Sequence, residues 1–394
     1  MKRLMIVGAS VLQLPAVLKA KEMGLYVAVA DYDPNAVGIP FADEYFNAST
    51  MDEDAILRAA EEFKPDGIMT LATDMPMRSV AKVAEKLGIP AISYSTAVKA
   101  TDKFEMIKAF KANEVSSPWF FTVDSLAELK ALRKNLSYPC IMKPTDNAGS
   151  HGVVLVESFD DLIRLFDYSH DCSRHGKVII EEYLRGDEVS VEVMVVDGTA
   201  HVLQITDKLT TGAPHFVEMG HSQPSKHPDS VLNQIKRLAA QACAAVGIDM
   251  GPAHVEMMIT ERGPVMIELG ARMGGDNITT ALVPLSTGVD MVKAAIEIAL
   301  GRSPDISPTL NCGSAIRYFE VPFGKIVSIS GVEQAKGIKG VKEIVFTKGI
   351  GDESAPIHCS NDRVGFVIAQ GKDADDAVRI CEQAIDQVDV VTQN

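Results

Sequence analysis

Two acids, Glu256 and Glu268, lie on short apolar runs at 255–259 and 264–269, joined by the turn signal Glu261-Arg262-Gly263-Pro264. Apolar runs of this length around such a turn read as the strands of a hairpin, and pairing across it can set both acids on one face. Carboxylates held that close repel and raise each other's pKa unless a cation stands between them. An all-oxygen donor set suits a hard ion such as Mg²⁺, which binds through one or two carboxylates plus water and phosphate oxygens. Ala271-Arg272-Met273-Gly274-Gly275-Asp276 follows directly and adds a planar cation and a flexible turn. That combination suits a transferring phosphate. Taken alone, the segment also fits a hairpin with two acids on a solvated face.

Two upstream segments bear on the choice. Residues 138–143 read as a strand ending in Lys143, followed by a small-residue stretch through Gly149 and Gly152 and a second apolar strand to Val156. Glycines there let backbone N–H groups close over phosphate oxygens. No Gly-Lys-Ser or Gly-Lys-Thr opens a helix, so a Walker loop is excluded. A buried strand seldom carries a lysine unless an anion is near. Residues 178–192 read as a strand ending at Glu181-Glu182, a connector through Tyr183 and Leu184, and an alternating strand opened by Gly186-Asp187-Glu188. Such a connector offers backbone groups to an adenine edge, with an acid nearby for ribose hydroxyls. Each segment alone is an ordinary turn or strand pair; their order along the chain is not.

From about residue 96 to 302 the chain resembles an ATP-grasp domain, in which two α+β subdomains clasp ATP and Mg²⁺. The resemblance rests on Thr101-Asp102-Lys103, Ile141-Met142-Lys143-Pro144, residues 147–153, Ile180-Glu181-Glu182-Tyr183-Leu184 with Gly186 and Glu188, His254-Val255-Glu256, and residues 268–275. It implies that Lys103 and Lys143 hold ATP phosphates, with Ser150, His151 and Gly152 covering them as a lid. It further implies that Glu181, Tyr183 and Leu184 frame adenine over a floor formed by Met258. Glu188 would take the ribose, and Glu256 and Glu268 the Mg²⁺, with Mn²⁺ as an alternative ion. Many members place a metal-binding Asn two residues after the second acid; here that position is Gly270, so water, Asp276 or Asn277 is left as third ligand.

The expected architecture is mixed α/β and α+β. Residues 1–95 read as a Rossmann-like domain, 96–302 as the ATP-grasp core with a lid subdomain at about 117–185, and 303–394 as a small α+β domain. In the first, strands are expected at 2–7, up to Asp31, at 67–71 and at 91–93. Only Gly8 stands where a dinucleotide fingerprint needs three glycines, which argues against a nicotinamide-dependent dehydrogenase. Thr73-Asp74 ends a strand on the ligand side of such a sheet, either contacting substrate or, better, capping the helix near Pro76. The stretch 303–308, rich in Ser, Pro and Asp, marks the last boundary. Strands at 315–321, 342–347 and 363–370 and a helix at 374–387 follow, with little site content; His358 and Cys359 read as structural.

The ATP-grasp resemblance implies a ligase that converts a carboxylate to an acyl phosphate and passes it to an amine. Lys143 would neutralise charge on the transferring phosphoryl group and Arg272 would stabilise the tetrahedral oxyanion. Glu218 and His221, in Glu218-Met219-Gly220-His221, resemble the amino-acid site of dipeptide-forming L-amino-acid ligases within the superfamily. A carboxylate beside a substrate ammonium and an imidazole able to take a proton make chemical sense there. Phosphoribosylglycinamide synthetase and carbamoyl-phosphate synthase-like branches stay open, as do bicarbonate-activating carboxylases and, in another class, a non-catalytic nucleotide-binding protein. Composition agrees with small-molecule partners: 394 residues, 46% hydrophobic and 23% charged, with a net charge of −15 that argues against nucleic acid or an acidic membrane. Six scattered cysteines, no signal peptide and no membrane-length apolar run point to the cytoplasm, and a homodimer is an open expectation.

Overall fold

The computed structural model describes residues 1–146, 152–213 and 215–393. Its first sheet is parallel, in the order β3-β2-β1-β4, from β1 (Arg3–Val7), β2 (Tyr26–Asp31), β3 (Glu44–Asn47) and β4 (Gly67–Met69). The central strands are near-continuous apolar runs because both faces are covered. Helices Glu53–Phe63 and Met77–Leu87 pack on one face, and Leu14–Glu22 with the distant Met291–Ala299 on the other. Residues 91–93 are not a strand, contrary to expectation. Ser93 instead caps the helix Tyr94–Thr101, Ile92 enters a different core, and β3 completes the sheet. Two residues, Ala91 and Ile92, between Pro90 and the capping Ser93 are too short a run to compete. At the end of β2 the Asp31 carboxylate accepts the Ala9 and Asp33 N–H groups, and Gly38 packs against the Ala9 carbonyl.

A second, antiparallel sheet has the order β5-β8-β6-β7, from β5 (Phe120–Val123), β6 (Cys140–Pro144), β7 (Val154–Val156) and β8 (Val178–Glu182). Helices Leu126–Ala131 and Phe159–Asp171 cover its back. Lys143 and Glu181, on the neighbouring strands β6 and β8, come together at the sheet's other side. Of the expected lid, Gly152 is described, and Ser150 and His151 lie outside the described residues. Gly152 has φ +77°, and a Cβ there would meet the Cys172 Cβ at 2.7 Å.

The remaining chain builds one long sheet with a small one beside it. Its strands are β9 (Asp187–Val196), β10 (Thr199–Thr210), β11 (Glu218–Gln223), β12 (Gly251–Thr260), β13 (Gly263–Gly270), β14 (Gly313–Tyr318), β15 (Gly324–Ser330), β16 (Val341–Phe346), β17 (Glu353–Ser354), β18 (Gly365–Gly371) and β19 (Asp389–Gln393). The long sheet runs β13-β12-β9-β10-β11-β14-β18-β16. Residues 302–312 carry neither helix nor strand, yet pairing of β11 with β14 carries the sheet across that stretch. Helix Asp229–Val246 packs on the first part of the sheet and Ala374–Asp386 on the second. The small sheet has the order β17-β15-β19.

Candidate active site

A cleft of about 530 Å³ opens between the β5–β8 sheet and the long sheet, with loops of the first sheet at its rim. Its floor is set by two irregular hairpins. From the turn, β12 and β13 pair as Thr260 with Gly263, Ile259 with Pro264, Met258 with Val265 and Met257 with Met266. Continued unbroken, that register would put Glu268 opposite Val255, pointing into the core, because a slip of one residue reverses every side chain. Ile267 is the extra residue of a bulge; past it Glu256 stands directly opposite Glu268. Met266 and Leu269 stay in the core, while Ile267 and Glu268 face the cleft.

The hairpin of β10 and β11 repeats the device. Lys208 lies opposite His221 and Leu209 opposite Gly220, and then Thr210 pairs with Glu218, skipping Met219. The bulge brings Glu218 to the face of Lys208 and His221. Glu218 is therefore on a strand, not in a surface loop.

The acids of the floor meet cations from other elements. Lys103 Nζ lies 2.8 Å from Glu268, and Lys208, with its side chain only 3% exposed, lies 3.0 Å from Glu256. Lys208 also pairs with Glu188 at 2.5 Å and Glu218 at 3.5 Å. Burial alone would lower the Lys208 pKa, but the surrounding carboxylates hold it well above the usual lysine range. Burial would likewise raise Glu256 and Glu268, yet Lys208 with His254, and Lys103, keep both below the ordinary carboxylate range. Burial pushes the Glu188 carboxyl up against the pull of Lys208, its ion-pair partner. Tyr183, Leu184 and Met258 line the neighbouring apolar part of the cleft.

At the other end, Arg272 Nε and Nη2 each donate to the Asp74 carboxylate at 2.9 Å. Asp74 caps no helix, contrary to the sequence expectation: Pro76 occupies the N-cap of Met77–Leu87 and makes no side-chain cap bond. The same pair accounts for Gly270, where a Cβ would come within 2.5 Å of Asp74 Oδ1. Asp276 grips Arg363 through two bonds of 2.8 Å, and His221 Nε2 lies 3.3 Å away. Burial pushes the Asp276 carboxyl up, but His221 and Arg363 hold it well below the usual range. Arg363 also donates to the Glu218 carbonyl and stacks 3.8 Å over the Tyr318 ring.

The region expected to carry little site content supplies Ser360 and Asn361 to the cleft lining, and its Arg363 braces Asp276. A lone Arg before a strand carries no local signal. Lys208 lies in Ile205-Thr206-Asp207-Lys208, where nothing in the sequence distinguishes this lysine from a surface one. His358 and Cys359 donate their backbone N–H groups to Asp362, and the His358 and His215 rings lie 4.5 Å apart, tilted by 36°.

Residues 136–281 match the family described as the ATP-grasp domain, and residues 317–393 match L-amino acid ligase C-terminal domain 2. The chain is an ATP-grasp ligase. This ligase is 27% identical to alanine–anticapsin ligase of Bacillus subtilis (strain 168) over 323 residues, 76% of this chain and 67% of that protein. The structure of L-amino acid ligase from Bacillus licheniformis superposes with a TM-score of 0.86 at 24% identity, covering 100% of this chain and 99% of that one. Phosphoribosylglycinamide synthetase from Anaerococcus prevotii gives 0.81 at 24% identity, with 100% of both chains covered. At such identities the structures establish the fold. As an ADP-forming carboxylate–amine ligase the protein uses ATP with Mg²⁺ and acts on small molecules. Among the described residues no helix is long and apolar enough to cross a membrane.

Proposed function

We propose that the ligase activates the carboxylate of one substrate and joins it to a second, with an amino acid as at least one of the two. The observation that carries this reading is the shared face of Glu218, Lys208 and His221, separated from the hairpin of Glu256 and Glu268 by the single strand β9. Glu218 and His221 would receive the substrate ammonium, and Arg272 would lie near the activated carboxyl and stabilise its tetrahedral oxyanion.

In this reading Glu256 and Glu268 hold Mg²⁺. Their donor chemistry fits a hard ion, and no group of three or more His, Cys, Asp or Glu residues among those described forms a self-sufficient metal cage. Two carboxylates leave the other positions to water and phosphate oxygens, as Mg²⁺ prefers. Bound there, the ion supplies neutralising charge on the transferring phosphoryl group. Lys103 and Lys143 would exchange Glu268 and Glu181 for phosphate oxygens, with Gly152, Ser150 and His151 covering them. Adenine would lie against Glu181, Tyr183, Leu184 and Met258, and Glu188 would meet the ribose.

The substrate carboxylate oxygen attacks the terminal phosphorus, the bond to the bridging oxygen breaks and ADP leaves. The amine then attacks the acyl carbon, its proton passes to His221 or water, and inorganic phosphate departs. The three-part division at 95 and 302, a cytoplasmic location supported by free cysteines, and a homodimer belong to the same reading. The biotin carboxylase domain of Hydrogenobacter thermophilus 2-oxoglutarate carboxylase is a dimer; light scattering tests whether this ligase is one.

The test is phosphate release from ATP with Mg²⁺ and pooled amino acids. Release that requires amino acids, with a ligated product by mass spectrometry, is expected. Release dependent on bicarbonate alone would remove the amino-acid reading and leave the ATP-grasp assignment intact.

A further inference from the structure

Beneath Glu256 lies a buried pair that the chemistry above does not use. Glu192 on β9 is 0% exposed and stands directly opposite His254 on β12. Its Oε1 is 2.6 Å from His254 Nδ1, and His254 Nε2 is 3.2 Å from Glu256 Oε1. Strand register builds this row: His254 faces its partner across the ladder, and Glu256, two residues on, shares its side of the sheet. Glu192 Oε2 has no hydrogen-bond partner among the described residues, so His254 is the carboxylate's one polar contact there. A buried carboxyl group with a single polar partner holds that partner firmly, because separation would leave a buried polar group with none.

Three further observations give the row a direction. Lys208 also donates to Glu256 Oε1, so both protein donors use one oxygen and Oε2 has none among the described residues. Lys208 has Glu188 and Glu218 as alternative partners and can be drawn away by an arriving anion, whereas His254 is anchored from behind. The turn after β13 closes over the pair only because residue 274 is glycine: a Cβ there would lie 2.6 Å from His254 Nδ1 and 3.1 Å from Glu192 Oε2.

We propose that Glu192 and His254 are positioning residues that hold Glu256 by its Oε1 and so present Oε2 to the metal ion. The inference rests on the reading of Glu256 as a metal ligand. Partners that orient a ligating carboxylate in this way are worth about 10–100-fold in metal affinity.

The experiment measures Mn²⁺ binding to the full-length protein–ADP complex by electron paramagnetic resonance, and ADP binding in EDTA by calorimetry. Glu192→Gln and His254→Ala should each weaken Mn²⁺ about tenfold or more while leaving metal-free ADP binding unchanged. His254→Gln, whose amide can still reach Oε1, should recover part of the loss, which a purely structural role would not predict. It also carries the test if Glu192→Gln melts at working temperature. Mn²⁺ affinity within about twofold of wild type in His254→Ala, with Glu256→Gln abolishing binding, overturns the positioning role. Undiminished Mn²⁺ binding in Glu256→Gln itself overturns the metal-ligand reading beneath it.

Discussion

The hairpins β12–β13 and β10–β11 use the same irregularity to opposite electrostatic ends. In the first, the bulge at Ile267 sets Glu268 opposite Glu256, bringing like charges together. In the second, the bulge at Met219 brings Glu218 round to Lys208, so the extra acid meets a cation at once. Lys208 then reaches across to Glu256 and offsets the repulsion that the first hairpin creates. The difference teaches that the acid hairpin takes its counter-charges from outside itself, Lys208 on Glu256 and Lys103 on Glu268, whereas the second hairpin carries its own.

The sharpest way to break the comparison is to remove charge from the like-charged hairpin. Glu256→Gln or Glu268→Gln should cost about 4 kcal/mol of transition-state stabilisation, roughly a thousandfold in turnover, with the fold retained. Near-normal ADP formation by both variants at saturating Mg²⁺ would end the metal assignment. Next in size is Lys208→Met, which strands Glu256, Glu188 and Glu218 around an apolar side chain. Unfolding in denaturant should show about 3 kcal/mol lost without metal, much of it regained with Mg²⁺ and ADP. An unchanged midpoint would mean that the two hairpins do not depend on each other.

Glu218→Ala tests the second hairpin alone. It should raise KM for the amine substrate by about 2 kcal/mol equivalent, with little change for ATP. Equal losses for both substrates would detach Glu218 from the amine. The smallest effect concerns Asp276. Its folded pKa is depressed, so its contribution is present in full above the unfolded value of about 3.9 and is lost as pH falls through the lower folded value. Asp276→Asn should therefore be less stable than wild type by about 1–2 kcal/mol at pH 7, and the gap should close in acid. A gap independent of pH would show that shape, not charge, joins Asp276 to Arg363.

Much of this was legible in the chain. The apolar runs around Glu261-Arg262 gave the acid hairpin, and Lys143 before its small-residue loop falls at the end of β6 beside the cleft. The bulges were not legible, since one extra residue leaves no trace in an apolar run as short as 264–269. A strict alternation would have buried Glu268. Nor could sequence bring Arg272 to Asp74, 198 residues away, or Arg363 to Asp276, 87 away, because such meetings depend on tertiary packing. The mistaken strand at 91–93 failed for the opposite reason: a local serine cap outweighed a short apolar run.

The pairing of β11 with β14 has a consequence for how such a protein can be cut. Glu218 and His221 sit on a strand whose outer side pairs, from Gly220 to Gln223, with residues 314–317. A version ending near residue 302 would leave that strand as a raw edge, with Met219 and other core side chains uncovered beside it. It would be prone to recruit strands from other copies, so the tail is a guard against self-association and not a detachable appendage. Exchange of substrate-site strands between relatives should succeed only when the covering strand moves with them.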